Sequence, residues 1–89
     1  MTEENSELIE FPCEFPIKIM GNATEEFQIR IREIVRNHAP NTPDSSFREV
    51  KSSTGKYVSI TATITAESRE QLDNLYREIT SCDLVKWAL

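Results

Sequence analysis

Apolar and polar residues alternate strictly along one ten-residue segment, Tyr57 to Ala66. Its apolar positions are Val58, Ile60, Ala62, Ile64 and Ala66, and its other positions are Tyr57, Ser59, Thr61, Thr63 and Thr65. Because successive side chains of a β-strand point to opposite faces, this pattern predicts a strand with one side on a core and one side of hydroxyl groups. The segment therefore belongs to a sheet with one covered face and one open face.

Three further segments predict β-strands. In residues 13–20 apolar and other side chains alternate, with Phe15, Ile17 and Ile19 on one side, and Gly21 ends the predicted strand. Residues 47–53 alternate poorly and carry several charges, which is typical of a sheet edge, where charges discourage pairing with other molecules. A short turn containing Gly55 joins this segment to the alternating strand as a hairpin. The last strand covers residues 84–89, with Val85, Trp87 and Leu89 on one side.

Two amphipathic helices separate these strands. Asn22 and Glu25 have the spacing of a helix start in which each side chain satisfies a free backbone N–H, and Pro40 ends the helix. Ser68 and Gln71 repeat the capping pattern. Apolar stripes follow at intervals of three and four residues: Phe27, Ile31, Ile34, Val35 and His38 in the first helix, and Leu72, Leu75, Tyr76 and Ile79 in the second.

The order of these elements predicts the fold. Strand, helix, strand, strand, helix, strand is typical of the α+β ferredoxin-like split β-α-β sandwich (βαββαβ). We therefore expect a four-stranded antiparallel sheet of order 4-1-3-2 with two helices on one face. Residues 1–10 contain four glutamates and predict an acidic, flexible N-terminal arm, and residues 11–89 predict a single ferredoxin-like domain.

Composition disfavours several classes of function. The formal net charge of −5 argues against nucleic acid, since affinity for a phosphate backbone draws on clustered Lys and Arg. No apolar run approaches the roughly 20 residues of a membrane helix. Cys13 and Cys82 are too few for a zinc site, and the topology places them at opposite ends of the sheet, about 20 Å apart. We expect a cytoplasmic protein without a membrane partner, cofactor or metal.

The open face of the sheet is the candidate functional surface. If Ile17 and Ile19 face the helices, Lys18 emerges on the open face beside the row of Tyr57, Ser59, Thr61 and Thr63. A lysine there pairs with an anionic ligand or a partner's carboxylate, or else its stem covers the sheet while its ammonium group reaches water. The hydroxyl row is consistent with a solvated surface and with a subunit or partner interface. His38 is expected to bind the last carbonyls of its helix.

Four segments occur in the order seen in the YbeD-like family of small bacterial proteins, which the chain resembles over nearly its whole length after the acidic arm. They are Glu10-Phe11-Pro12, Lys18 to Gly21, His38-Ala39-Pro40 and Ser52 to Ile60. Membership implies a cytoplasmic α/β sandwich similar to the ACT regulatory domains, which pair through sheet edges or helices and bind small metabolites near the loop after the first strand.

In this chain the corresponding loop covers residues 20–24. There Gly21 permits close backbone approach, and the N–H groups beside Asn22 offer donors for a carboxylate. Lys18 stands near the place where ACT pockets carry an acidic residue for the amino group of an amino acid, and this disfavours an amino-acid ligand.

The chain shows no signature of an enzyme. The loop after the first strand lacks both the arginine of an acylphosphatase and the C-x-x-C of a metal chaperone, and Ser59 and Thr61 stand where an RNA-recognition domain has stacking rings. We predict a non-catalytic regulatory module, expected to be a homodimer, that binds a small anionic ligand or an enzyme partner. The alternative is a purely structural adaptor that uses the open face or an edge strand, and RNA binding is a third reading.

Overall fold

The computed structural model of the chain describes residues 10–89, which form four strands and two long helices in the predicted order. They are β1 (Cys13–Asn22), α1 (Glu25–His38), β2 (Phe47–Lys51), β3 (Tyr57–Ala66), α2 (Arg69–Ser81) and β4 (Val85–Ala88), with a 3-10 turn at Asp44–Ser46 before β2. Apart from Glu10, the predicted acidic arm lies outside the described residues.

The sheet is antiparallel and has the order β2-β3-β1-β4, which confirms the predicted 4-1-3-2 topology. The two ten-residue strands β1 and β3 form its centre and pair along their full length, from Cys13 opposite Ala66 to Asn22 opposite Tyr57. The shorter strands β2 and β4 form the two edges. Gly55 has a φ of 77° in the turn between β2 and β3, as the predicted hairpin requires.

The core lies between one face of the sheet and the two helices. Every second residue of β3 from Val58 to Ala66 is at most 1% exposed, which confirms the alternation. The fully buried helical side chains belong to the predicted stripes and include Phe27, Ile31, Val35, Leu75 and Ile79. Removal of these aliphatic and aromatic groups from water is the main driving force for this arrangement.

The junction between β1 and α1 differs from the prediction in two ways. Gly21 does not end the strand, because β1 continues to Asn22. Asn22 pairs with Tyr57 in the sheet, and the N-cap of α1 is Thr24, whose Oγ1 accepts a 3.1 Å hydrogen bond from the backbone N–H of Phe27. The cap predicted at Asn22 is therefore wrong by two residues. The second cap is confirmed, since Ser68 Oγ accepts from the N–H of Gln71 at 3.1 Å.

A β-bulge in β4 changes which side of this strand faces the core. Val85 lies opposite Gly21 and Trp87 opposite Met20, so that β4 contains one residue more than the matching part of β1. Val85 and Ala88 pack against the core, whereas Trp87 shares the open face with Met20. The predicted grouping of Val85 with Trp87 is wrong for this reason, because a bulge interrupts the two-residue period.

The edge strand β2 is held to α1 by charged side chains. Arg32 Nη1 lies 2.7 Å from Glu49 Oε2, and Arg36 donates to the Thr42 carbonyl at 3.0 Å and to Asp44 Oδ1 at 2.5 Å. Both guanidinium groups lie 5.2 Å from the centre of the Phe47 ring, within the range of cation–π attraction. The hydrogen bond and charge of Arg36 hold the pKa of Asp44 below its usual value.

Candidate functional site

The strand register sorts the open face into rows of side chains that cross the whole sheet. One row, which we call the apolar row, consists of Val50, Ser59, Met20 and Trp87. The next row, which we call the basic row, consists of Arg48, Thr61, Lys18 and Leu89. Leu89 belongs to it because its N–H donates to the Lys18 carbonyl at 2.8 Å, and the Lys18 N–H donates back at 3.3 Å.

Exposed apolar side chains concentrate on this face. Among residues 10–89, five large hydrophobic side chains are exposed, and four of them lie here: Val50 at 59%, Tyr57 at 40%, Trp87 at 40% and Leu89 at 70%. The fifth, Ile29, lies on α1 in the other layer. Single exposed apolar residues are normal on a protein surface, but adjoining ones mark an interaction site. The half-buried Met20 lies beside Trp87 in the apolar row, and Ser59 separates it from Val50.

Lys18 and Arg48 give the same face a local positive charge. Neither has a carboxylate within 4.0 Å among residues 10–89, whereas Arg30, Arg32 and Arg36 of α1 are all paired. Glu14, at the far end of β1, is the single acidic side chain on the open face of the described strands.

Most of the net negative charge belongs to the first ten residues of the sequence. Residues 1–10 contain four glutamates and no lysine or arginine, so residues 11–89 carry −1 of the total formal charge of −5. The overall charge therefore says little about the charge of the open face.

A shallow hollow of about 420 Å³ lies on the open face beside Arg48. Hydroxyl groups supply the rest of its lining, from Ser45, Ser46, Thr61 and Thr63. A guanidinium group with several hydroxyl donors is suited to a carboxylate or another small oxyanion. The sequence indicated the two threonines but not Arg48, because the poor alternation of residues 47–53 did not show which side of β2 faces the helices.

A second cavity, of about 550 Å³, lies between the loop after α1 and the ends of β1 and β3. Its lining is partly polar and partly apolar, and its polar groups include the carboxylates of Glu14 and Glu67 and the hydroxyls of Thr63 and Thr65. One wall is fixed by Gln71, which donates to the His38 carbonyl at 2.8 Å and accepts from the Glu67 N–H at 2.5 Å. The sequence did not predict this cavity, because residues distant in the chain form it.

His38 connects the two helices. Its Nε2 lies 2.7 Å from Glu78 Oε1 on α2, and no bond from its ring to a helix carbonyl is present among the described residues. Its partner differs from the predicted one, because α2 brings a carboxylate within reach of the ring.

Gly21 lies on the covered face of the sheet, unlike the other six predicted site residues. A Cβ at this position would collide with the Phe27 ring and would lie 2.6 Å from the Leu84 carbonyl oxygen. The space next to Gly21 is thus filled by the protein itself. Lys18, Asn22, Tyr57, Ser59, Thr61 and Thr63 all lie on the open face, with Lys18 directly opposite Thr61 and Asn22 opposite Tyr57.

These features define a class: a ferredoxin-like α+β sandwich whose sheet has one face under helices and one face that no other element of residues 10–89 covers. Residues 10–89 include no helix long and apolar enough to cross a membrane. A solved structure has the same architecture. The solution structure of protein HP0495 from H. pylori matches with a TM-score of 0.67 and 16% identity, and the match covers 91% of this chain and 85% of that one.

The family follows from closer relatives. Residues 6–89 match the family model described as "Protein of unknown function (DUF493)". A UPF0250 protein of Chromobacterium violaceum is 46% identical over 89 residues, and a UPF0250 protein of Neisseria gonorrhoeae is 46% identical over 91 residues, with both chains fully covered in each case. The chain belongs to the DUF493 family, and the resemblance to YbeD-like proteins is confirmed.

Proposed function

We propose that this chain is a non-catalytic regulatory module of the cytoplasm that docks on a protein partner through the open face of its sheet. The observation that carries this proposal is the concentration of four of the five exposed large hydrophobic side chains of residues 10–89 on that face. Exposed aromatic and aliphatic groups beside cations that have no carboxylate partner among residues 10–89 are typical of an interface that is buried only in a complex.

The chemistry of the face supports a role without catalysis. A hydroxyl group becomes a nucleophile when a histidine or carboxylate accepts its proton. Within residues 10–89, Ser59, Thr61 and Thr63 have no such hydrogen-bond partner, and the single histidine is bound to Glu78.

A matched pair of variants tests this proposal. Trp87→Asp places a charge in the apolar row, and Ile29→Asp places the same charge at an exposed apolar position of α1. Tagged wild-type protein and both variants are used to recover partners from a cell extract, with quantitative mass spectrometry as the readout. We expect proteins bound by the wild type and by Ile29→Asp to be lost with Trp87→Asp. Equal recovery by both folded variants would contradict docking through this face.

The hollow beside Arg48 supports a second candidate, the binding of a small anionic ligand. A ligand that binds only the folded state raises stability by mass action, by about 2.7 kcal/mol at a concentration of 100 Kd. Thermal unfolding is therefore measured against a panel of organic acids, nucleotides and amino acids, with Arg48→Ala as the control. If no compound shifts the melting temperature while Trp87→Asp still abolishes a complex, the chain is a structural adaptor rather than a sensor.

A further inference from the structure

We propose that the partner presents an acidic amphipathic helix to the open face, with carboxylates over Lys18 and Arg48 and apolar side chains against Met20 and Trp87. This inference rests on the proposed function and names the chemistry of the partner.

The backbone argues for a helix. The face of a sheet offers side chains, because the N–H and C=O groups of its inner strands are already paired with neighbouring strands. An extended segment laid over it would leave its own backbone groups unsatisfied. A helix satisfies its backbone internally, and a helix packed on a sheet face is one of the stable layer arrangements.

The charges argue for acidic residues on that helix. Lys18 and Arg48 lack a carboxylate among the described residues and flank Thr61 in the basic row. Their strands are separated by two sheet spacings, which places their backbones about 10 Å apart. Residues seven apart on a helix are separated by about 10.5 Å along its axis and lie on nearly the same side. Two carboxylates at this interval match both cations when the helix runs across the strands.

The apolar row determines where the partner helix carries its apolar side chains. It lies two residues along the strands from the basic row, a distance of about 6.6 Å, which is measured across the axis of the helix. A position three residues further on a helix is rotated by about 60° around the axis, which at an outer radius of about 5–6 Å separates the side-chain ends by about 5–6 Å across the axis. A leucine stripe beside the acidic stripe therefore reaches Met20 and Trp87. The hollow beside Arg48 gives a carboxylate at that end additional hydroxyl donors.

The test uses the full-length protein and two synthetic helical peptides of equal length. Both carry the same leucine stripe, and the adjacent positions seven apart are Glu in one peptide and Lys in the other. Titration calorimetry measures binding, and amide chemical shifts locate it. We expect the Glu peptide to bind at least tenfold more tightly, to weaken as salt rises, and to perturb the amides of Lys18, Met20 and Ser59.

Charge-reversal variants provide the controls. Lys18→Glu and Arg48→Glu should each weaken the Glu peptide about tenfold, which corresponds to 1.4 kcal/mol. Lys56→Glu makes the same change at an exposed position of the turn between β2 and β3 and should leave affinity unchanged. Equal binding of the two peptides, or equal effects of the three variants, would overturn the inference. Loss of the recovered partner with Trp87→Asp would still support the proposed function in that case.

The inference would be overturned if the open face were covered by another part of the same chain or by a second copy of the protein. Carbodiimide cross-linking of the isolated protein joins a lysine amine directly to a carboxylate. A link from Lys18 to Glu3, Glu4 or Glu7 within one chain would mean that the chain covers its own face. Conversion of a dimer to a monomer by Lys18→Glu would mean that a second copy covers it.

Discussion

At Gly21 the main chain of β1 passes so close to α1 and to the segment before β4 that hydrogen is the only substituent that fits. The Phe27 ring lies over the glycine, and the Leu84 carbonyl occupies the remaining space. Phe27 and Gly21 are both buried, and their contact fixes the distance between the first helix and the sheet. Gly21 is therefore needed for packing.

Gly21→Ala should reduce the free energy of unfolding by about 3 kcal/mol, the upper end of the usual cost of overpacking, because one of the clashing groups is backbone. Urea denaturation measures this change. Gly55→Ala is the matched control. Gly55 has a φ of 77°, and apart from its chain neighbours no heavy atom of the described residues lies within 4 Å of the added Cβ, so the conformation alone should cost about 1 kcal/mol. Equal losses in the two variants would show that the contact with Phe27 is not tight.

The hydroxyl of Tyr76 should give stability a dependence on alkaline pH. It donates a 2.6 Å hydrogen bond to the Leu89 carbonyl, and burial raises its pKa above the ordinary value of 10.0. Because folding raises this pKa, the protonated hydroxyl contributes fully to the free energy of unfolding below the pKa of the unfolded chain. The contribution is lost as pH rises through the pKa of the folded protein. Tyr76→Phe should therefore cost at most about 1 kcal/mol at neutral pH.

Comparison of the wild type with Tyr76→Phe at high pH tests the direction of this pH dependence. Above pH 10 the wild type should lose stability relative to Tyr76→Phe, so that their unfolding curves in urea converge. A difference between the two proteins that stays constant from neutral pH to pH 11 would contradict a half-buried, hydrogen-bonded phenol.

At the scale of elements, the hydrophobic pattern of each segment predicted those features that depend on burial of that segment alone. The alternation of β3 and the stripes of both helices reflect burial against one layer, and the structure confirms them. The bulge between Val85 and Trp87 and the cap at Thr24 depend on how β1 pairs with its neighbours. Pairing of distant strands has no signature in a short stretch of sequence, so these features were not predictable from it.

The position of the first cap can be tested directly. Thr24→Ala removes the oxygen that accepts from the Phe27 N–H and should reduce the free energy of unfolding by about 1 kcal/mol. Asn22→Ala changes an exposed strand residue and should stay within about 0.5 kcal/mol of the wild type. Thermal or urea unfolding measures both. The reverse order of effects would place the start of α1 at Asn22.

At the scale of the whole molecule, the open face unites residues that the sequence keeps apart. Alternation was enough to predict that Lys18 and the hydroxyls of β3 share one side. It did not predict the apolar row, because Val50, Met20 and Trp87 come from three strands and meet only through the register of the sheet. The polar part of the candidate site was thus predictable from the sequence, and its apolar part was not.

The predicted homodimer belongs to this scale as well. We expect pairing through sheet edges or helices, which leaves the open face accessible to a partner, and sedimentation should give about twice the chain mass of 10.2 kDa. Trp87→Asp should not change that mass. A single species of 10.2 kDa at micromolar concentration would contradict the dimer.

Trp87 is the one tryptophan of the chain, and the bulge of β4 turns it toward the open face. The tryptophan fluorescence of this protein, excited selectively over that of its two tyrosines, therefore arises from a single position on the open face. Its emission wavelength and its accessibility to a soluble quencher report whether water or another molecule lies against the sheet, with no label and no substitution.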